Sequence, residues 1–110
     1  MKGSGVGLAN VGAYGASKGA VIALTKAAAL EVAAKNVRVN VINPSIIQTA
    51  MTQDSLGGAE NVHNIMAPLH PNGRVGAPEE VAELVIWLCS ERASLIAGAA
   101  INIDGGYTAQ

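Results

Sequence analysis

Tyr14 and Lys18 stand four residues apart in an alanine-rich stretch of the chain. On a helix that spacing puts two side chains on one face, one turn apart. A free phenol has a pKa of about 10 and is a poor base at neutral pH. An ammonium group held beside it favours the phenolate, which is the pairing a proton-transfer catalyst needs. Taken alone, the two residues describe an amphipathic tyrosine beside a solvated lysine just as readily. Either reading requires a helix beneath them, and composition decides what kind of chain could supply one.

At 110 residues the chain makes at most one small domain. Half of it is hydrophobic and only 14% is charged, which excludes an intrinsically disordered segment. The net charge is −1 and the seven Lys and Arg residues are scattered. That pattern argues against a nucleic-acid or anionic-membrane binder. A single cysteine permits no internal disulfide framework. His63 and His70 have no ligand partner at useful spacing, so no metal is expected, and surface or substrate-pocket lining is the reading for both. No apolar run reaches the roughly 18 residues a membrane span needs. The first residues lack the apolar core of a signal peptide, so a cytoplasmic location is expected.

The alanine-rich composition predicts a helix over residues 11–35, with Asn36 as its stop. Val21, Leu24, Ala28 and Val32 fall on one stripe, and Gly15, Ala16, Gly19, Ala20, Ala23 and Ala27 form a second surface of small residues. Two packing faces predict a helix buried on both sides. Val37–Asn43 alternates β-branched with polar residues and reads as a strand that Pro44 then breaks. From Ser45 to Ala77 glycines and prolines recur, which predicts a long binding loop with a short helix near Glu60–Met66. Pro78, Glu79 and Glu80 open a second helix over residues 78–90. Its apolar stripe is Val81, Leu84, Val85, Leu88 and Cys89, the cysteine read as a small core residue. Trp87 falls outside the Leu84–Leu88 line and is assigned to a subunit contact or to the core. Ala99–Ile103 is a second strand, closed by Asp104-Gly105-Gly106. Two strands joined through a helix are expected to lie parallel, each face covered.

The order of these pieces carries more than any one of them. Ala13-Tyr14-Gly15-Ala16-Ser17-Lys18, Ala29-Leu30-Glu31, Val37-Arg38-Val39-Asn40 and Asn43-Pro44 resemble the active-site helix and following strand of the short-chain dehydrogenase/reductase family. Pro44-Ser45-Ile46-Ile47-Gln48-Thr49 is similar to that family's Pro-Gly-x-Ile-x-Thr cofactor segment. Gly73-Arg74-Val75-Gly76-Ala77-Pro78-Glu79-Glu80 and Asp104-Gly105-Gly106 match its closing signatures. The resemblance spans nearly the whole chain. It implies an α/β fold, the C-terminal part of a Rossmann-like doubly wound parallel sheet, with two strands, two main helices and a long substrate-loop region.

By this resemblance residues 1–110 are expected to be the C-terminal half of such a domain, with the N-terminal cofactor-binding half outside them. The implied activity is hydride transfer between NAD or NADP and an alcohol or ketone. Tyr14 would be the acid/base, and Lys18 would lower its pKa and hydrogen-bond the nicotinamide ribose. Pro44, Ser45, Ile47 and Thr49 would hold the cofactor, through Ile47 backbone groups and the Thr49 hydroxyl. The full-length form is expected to be a homo-oligomer, dimer or tetramer, and the isolated 110 residues to be inactive.

Two departures from the family pattern stand out. Ser45 occupies the place of the usual glycine after Pro44, which removes backbone freedom there. The family's serine, about a dozen residues before the tyrosine, would fall at or before Met1, and Ser4, closer to Tyr14 than that, reads as a polar loop residue. Gly3, Gly5 and Gly7 do not follow a strand, as a dinucleotide fingerprint requires. A second class therefore stays open, a non-catalytic interaction or oligomerisation module built on the helix faces and edge strand.

Overall fold

The computed structural model describes residues 12–45 and 50–110, and the side chains of all of these except 12–14 and Thr52. Four helices and two strands follow in the order α1 (Gly12–Val32), β1 (Val41–Pro44), α2 (Ala50–Leu56), α3 (Ala59–Met66), α4 (Pro78–Leu88) and β2 (Ala100–Ile103). Short 3₁₀ turns extend α1 over Ala33–Lys35 and α3 over Ala67–Leu69. The chain divides into two compact units, Met1–Ile42 with Ala93–Ile101, and Asn43–Arg92 with Asn102–Gln110.

The long helix ends where its sequence says it should. Asn36 adopts the left-handed conformation at φ 59°, ψ 35°, and its N–H returns to the Ala33 carbonyl at 3.0 Å. Asparagine tolerates that region because its short polar side chain carries little steric cost there. The expected burial on two faces is not what this helix has. Among the described side chains of α1, Thr25 and Ala29 are buried, whereas Val21, Leu24 and Leu30 are 50%, 68% and 81% exposed. The covered line lies beside the predicted stripe because small side chains there permit close approach. A β-carbon added at Gly98 would stand 3.5 Å from that of Ala29.

β1 and β2 form one two-stranded sheet. Val41 donates its N–H to the Ala99 carbonyl at 2.9 Å, and Ser45 donates to Ile103 at 3.1 Å. Four residues forward on one strand is four forward on the other, so the strands run parallel, as expected. The first strand nevertheless starts later than its alternation suggests, at Val41 instead of Val37. Arg38 and Asn40 put their side chains where a ladder would have been. Arg38 Nη1 and Asn40 Nδ2 both donate to the Ile96 carbonyl, and Asn40 Oδ1 accepts the Ala99 N–H at 3.0 Å. Pro44 ends the strand from within and does not break it beforehand. The N–H groups of Val41 and Ser45 point to β2, so that of position 44 would point away, and its loss costs no ladder bond. The expected cover on both faces is also only partial, since Ala100 and Asn102 are exposed in β2.

The stretch after residue 49 holds two helices where the sequence suggested one. Glycine was read there as loop, but Gly57 and Gly58 are only the hinge between α2 and α3, with φ of 86° and 112°. A side chain at Gly57 would also meet the Asn61 amide, which closes the end of α2 by donating to the Leu56 carbonyl at 2.9 Å. α3 starts at Ala59, one residue before its expected start, and sends Val62 completely into the interior. α4 begins at Pro78 as expected and ends at Leu88. Of its stripe only Leu88 is fully buried; Val85 is 41% exposed, and Cys89, expected in the core, is exposed just past the last turn. The helix stops one residue before that position, so Cys89 no longer continues the buried line. Trp87 is 41% exposed, which removes the core assignment.

Val62 and Ile65 share α3 but differ in cover, at 0% and 51% exposure. Val62→Ala is expected to lower unfolding free energy by about 2–3 kcal/mol, from two lost methyl groups plus the void they leave. Ile65→Ala is expected to stay within about 1 kcal/mol. Urea unfolding of the two variants beside wild type measures both.

Candidate active site

In the first unit, α1 carries Tyr14 and Lys18 one turn apart on one helix, the geometry that the four-residue spacing required. Lys18 is half-buried. The Tyr14 side chain lies outside the described residues. So do Ile47 and Thr49, together with Ser4. Pro44 and Ser45 belong to the second unit, at the C-terminal end of β1.

Ser45 is where the second unit departs most from expectation. Its Oγ lies 2.7 Å from His70 Nε2, and His70 Nδ1 lies 2.9 Å from the Met66 carbonyl. A carbonyl can only accept, so Nδ1 carries a hydrogen. In the neutral form of the ring Nε2 is then the acceptor, and the Ser45 hydroxyl donates to it. His70 is only 5% exposed, which corrects its reading as a surface residue, while its place among the lining residues of a cleft agrees with the pocket-lining alternative. Both ring nitrogens are engaged, as burial of a polar ring demands. The Tyr107 ring packs against the imidazole with centroids 5.9 Å apart and a tilt of 47°. The glycine-for-serine departure costs no strain. Among the described residues Asn36 is the one non-glycine residue with positive φ, so Ser45 sits in backbone that any residue adopts.

Around this pair the second unit forms a small open cleft, lined by Ser45, His70, Asn72, Arg74, Glu80 and Asp104 among others. Asp104 ties the chain end beyond β2. Its Oδ1 accepts the Gly106 N–H at 3.1 Å, and its Oδ2 accepts the Thr108 N–H at 3.0 Å and the Thr108 hydroxyl. Partial burial works to raise the Asp104 pKa. The hydrogen bonds from Thr108 and Gly106 outweigh it and hold the carboxyl below its ordinary value. Gly105 is required at its place: φ is 59°, and a β-carbon would collide with the Asn72 side chain. Asn72 in turn donates its N–H to the Gly105 carbonyl at 3.2 Å.

Arg74 and Glu80 join the start of α4 to the turn before it. Arg74 Nη1 and Nη2 reach Glu80 Oε1 and Oε2 at 2.7 and 2.8 Å, a two-pronged ion pair. Glu80 Oε1 also accepts the Ala77 N–H at 2.9 Å, and the Glu80 N–H donates to the Ala77 carbonyl at 3.0 Å. The side chain thus satisfies a free N–H at the helix start, as a capping glutamate does. The Arg74 hydrogen bonds, and then the Ala77 N–H, bring the Glu80 pKa down from 4.5 to about 2. Sequence reasoning found Glu79 and Glu80 only as first-turn acids. The six-residue spacing of Arg74 and Glu80 across Pro78 was the signal available for the pair. No comparable signal joined Ser45 to His70, which are 25 positions apart.

Each unit by itself offers groups of the kind that a nicotinamide dinucleotide binds. The Lys18 ammonium carries hydrogens that ribose hydroxyls accept. Ser45 Oγ, its hydrogen committed to His70, retains lone pairs for an amide donor.

Residues 1–108 match the family described as Enoyl-(Acyl carrier protein) reductase. The chain belongs to the short-chain dehydrogenase/reductase family. This short-chain dehydrogenase/reductase chain is 43% identical over 105 residues to cyclohexanol dehydrogenase of Acinetobacter sp. strain SE19, covering 96% of itself and 39% of that protein. It is 42% identical over 107 residues to the NADP-dependent (R)-specific alcohol dehydrogenase of Lentilactobacillus kefiri, covering 96% of itself and 42% of that enzyme. The chain therefore spans about two fifths of the length of these curated relatives. In structure it is similar to a short chain dehydrogenase family protein from Francisella tularensis subsp. tularensis SCHU S4, with a TM-score of 0.83 and 34% identity over 98% of this chain and 49% of that one. The α/β, Rossmann-like fold that the motifs implied is thereby established for this short-chain dehydrogenase/reductase chain.

The depressed Glu80 pKa has a pH consequence of fixed sign. A carboxyl that titrates lower when folded adds stability above its unfolded pKa, and loses it as pH falls through the folded one. Glu80→Gln keeps an oxygen for the Ala77 N–H but removes the charge. Wild type is expected to exceed this variant in stability by a constant margin above about pH 4.5, a margin that closes as pH falls toward about 2. Urea unfolding across that range is the measurement, and the gap should also narrow at high salt.

Proposed function

We propose that the protein carrying this chain is a nicotinamide-dependent oxidoreductase that interconverts an alcohol and a ketone. The observation that carries the reading is Tyr14 and Lys18 one turn apart on α1, within motifs that follow the family order from end to end. The relatives named above support the substrate class, since their names specify cyclohexanol and an (R)-specific alcohol.

A bound NAD or NADP supplies or accepts the hydride at the reacting carbon. Tyr14 handles the proton. In the reducing direction its phenol donates to the carbonyl oxygen as that oxygen gains charge, and the phenolate is reprotonated from solvent. In the oxidising direction the phenolate takes the hydroxyl proton. The Lys18 ammonium stabilises the phenolate by proximity and offers its remaining hydrogens to the nicotinamide ribose. Pro44, Ser45, Ile47 and Thr49 bind the carboxamide end of the cofactor, with Ser45 presenting oxygen lone pairs. This division of work keeps proton transfer on α1 and cofactor orientation on the segment after β1.

In the protein with its whole natural chain, Tyr14→Phe is expected to lower turnover by about 10²–10⁴-fold, the usual worth of one acid/base group. Dinucleotide affinity should change less than about twofold, because only the proton carrier is removed. Lys18→Ala should reduce both rate and affinity. Steady-state assays on secondary alcohols, with calorimetric titration of NADH and NADPH, measure these. Wild-type turnover by the phenylalanine variant would sink the acid/base assignment.

A second reading, assembly into a homo-oligomer, is favoured by the apolar side chains left open on two helices. Leu24 and Leu30 on α1, and Ile86 and Trp87 on α4, are between 41% and 81% exposed. Such patches mark association surfaces. Ile86→Glu with Leu24→Glu is expected to lower the molar mass found by sedimentation equilibrium; an unchanged monomer mass in wild type and variant would exclude this reading.

A further inference from the structure

We propose that His70 is a positioning residue that acts on the nicotinamide dinucleotide through Ser45. The proposal rests on the reading above, in which Ser45 belongs to the cofactor-binding segment. Three observations in the second unit converge on it. His70 is 5% exposed, while Leu69, Pro71, Asn72 and Gly73 around it are exposed, so this ring alone is drawn inward from its stretch. Turning a polar ring inward is unfavourable unless both nitrogens find partners, and here they do, in Ser45 Oγ and the Met66 carbonyl. Ser45 is held at two points, by its N–H on the Ile103 carbonyl and by its hydroxyl on His70.

The direction of the second bond gives the device its chemistry. A free serine hydroxyl rotates and can either donate or accept. With the neutral imidazole the serine hydrogen lies on Nε2, and the Ser45 oxygen can then only accept. It therefore favours a donor such as the amide N–H₂ of a nicotinamide carboxamide over an acceptor. A glycine at position 45, the family's usual residue, could provide none of this and would leave Nε2 buried without a partner. The serine and the histidine thus work as a pair, and each loses its use without the other.

Asparagine and glutamine separate this role from a merely structural one. Asparagine at position 70 reaches the Nδ1 site and keeps a group for the Met66 carbonyl, but it falls short of Ser45. Glutamine reaches the Nε2 site and keeps a partner for Ser45. The experiment titrates NADH and NADPH into the whole natural protein by calorimetry, for wild type, Ser45→Ala, His70→Asn, His70→Gln and the double variant Ser45→Ala/His70→Asn. Ser45→Ala and His70→Asn are each expected to weaken dinucleotide binding by about 2–10-fold, the worth of one net hydrogen bond. The double variant should be no weaker than either, and His70→Gln should restore most of the loss. In steady state KM for the dinucleotide should rise while kcat stays within about twofold. The Ser45 amide should exchange hydrogen faster in both single variants and recover with glutamine. Should His70→Asn fail to fold, Ser45→Ala carries the same expectation alone. If wild type binds a dinucleotide and Ser45→Ala binds it equally well, or the two losses simply add, the positioning role is overturned and the cofactor reading stands. If wild type binds neither dinucleotide, the cofactor reading falls and takes this role with it.

Discussion

Parallel pairing of β1 with β2 is the constraint on which the arrangement of the second unit depends. The bonds from Val41 to Ala99 and from Ser45 to Ile103 fix one register along the whole ladder. In a parallel pair both strands end at the same edge. Ser45 is the residue after β1 and Asp104 the residue after β2, so the register alone brings them to one place. That edge, beyond the carboxyl ends of the strands, is where open α/β sheets bind their ligands. An antiparallel pair would have carried Asp104 to the opposite end. It would have left Asn72 without the Gly105 carbonyl that its N–H meets.

Each loop leaving that edge is then tied by a short polar side chain. Asp104 binds back to Gly106 and Thr108, Asn72 meets Gly105, and Glu80 reaches the Ala77 N–H while holding Arg74. None of these contacts is deep enough to contribute as a large apolar core would. Val62 is the one large side chain fully enclosed among the described residues. The second unit is thus held by many local polar closures, which suits a chain with thirteen glycines and no phenylalanine. Glycine at 105 permits the approach that Asn72 exploits, and small side chains elsewhere leave backbone close enough for such bonds.

What could be read in the sequence was whatever depends on neighbours a few residues apart. Helix α1, its Asn36 stop, the Pro78 start of α4 and the parallel order of the strands all rest on local spacing and composition. So does the one-turn separation of Tyr14 and Lys18 along α1. Where distant residues compete with local preference the reading slipped. Val37–Asn40 has the alternation of a strand, but the Ile96 carbonyl draws the side chains of Arg38 and Asn40 and delays the ladder to Val41. Two glycines in a row looked like loop, when their positive φ only hinges one helix onto the next. His70 offered no signal at all, because its partners are a serine 25 positions away and a main-chain carbonyl.

The serine at position 45 shows how such a long-range contact can change what a motif means. A glycine after the proline keeps the backbone free, and binding a ligand there must then fix it. Ordering one residue's backbone costs roughly 1–2 kcal/mol. Ser45 is fixed already when the chain folds, by β2 through its N–H and by His70 through its hydroxyl. The entropic loss has moved from the binding step to the folding step, which is what preorganisation consists of. The exchange works only if the frozen conformation is the one that binding needs, and only if His70 is itself held. Its second nitrogen on the Met66 carbonyl and the Tyr107 ring against its face provide that hold. A departure from a family pattern that looked like lost freedom at one position is therefore tied to a second residue, which stands where the chain turns from α3 toward α4.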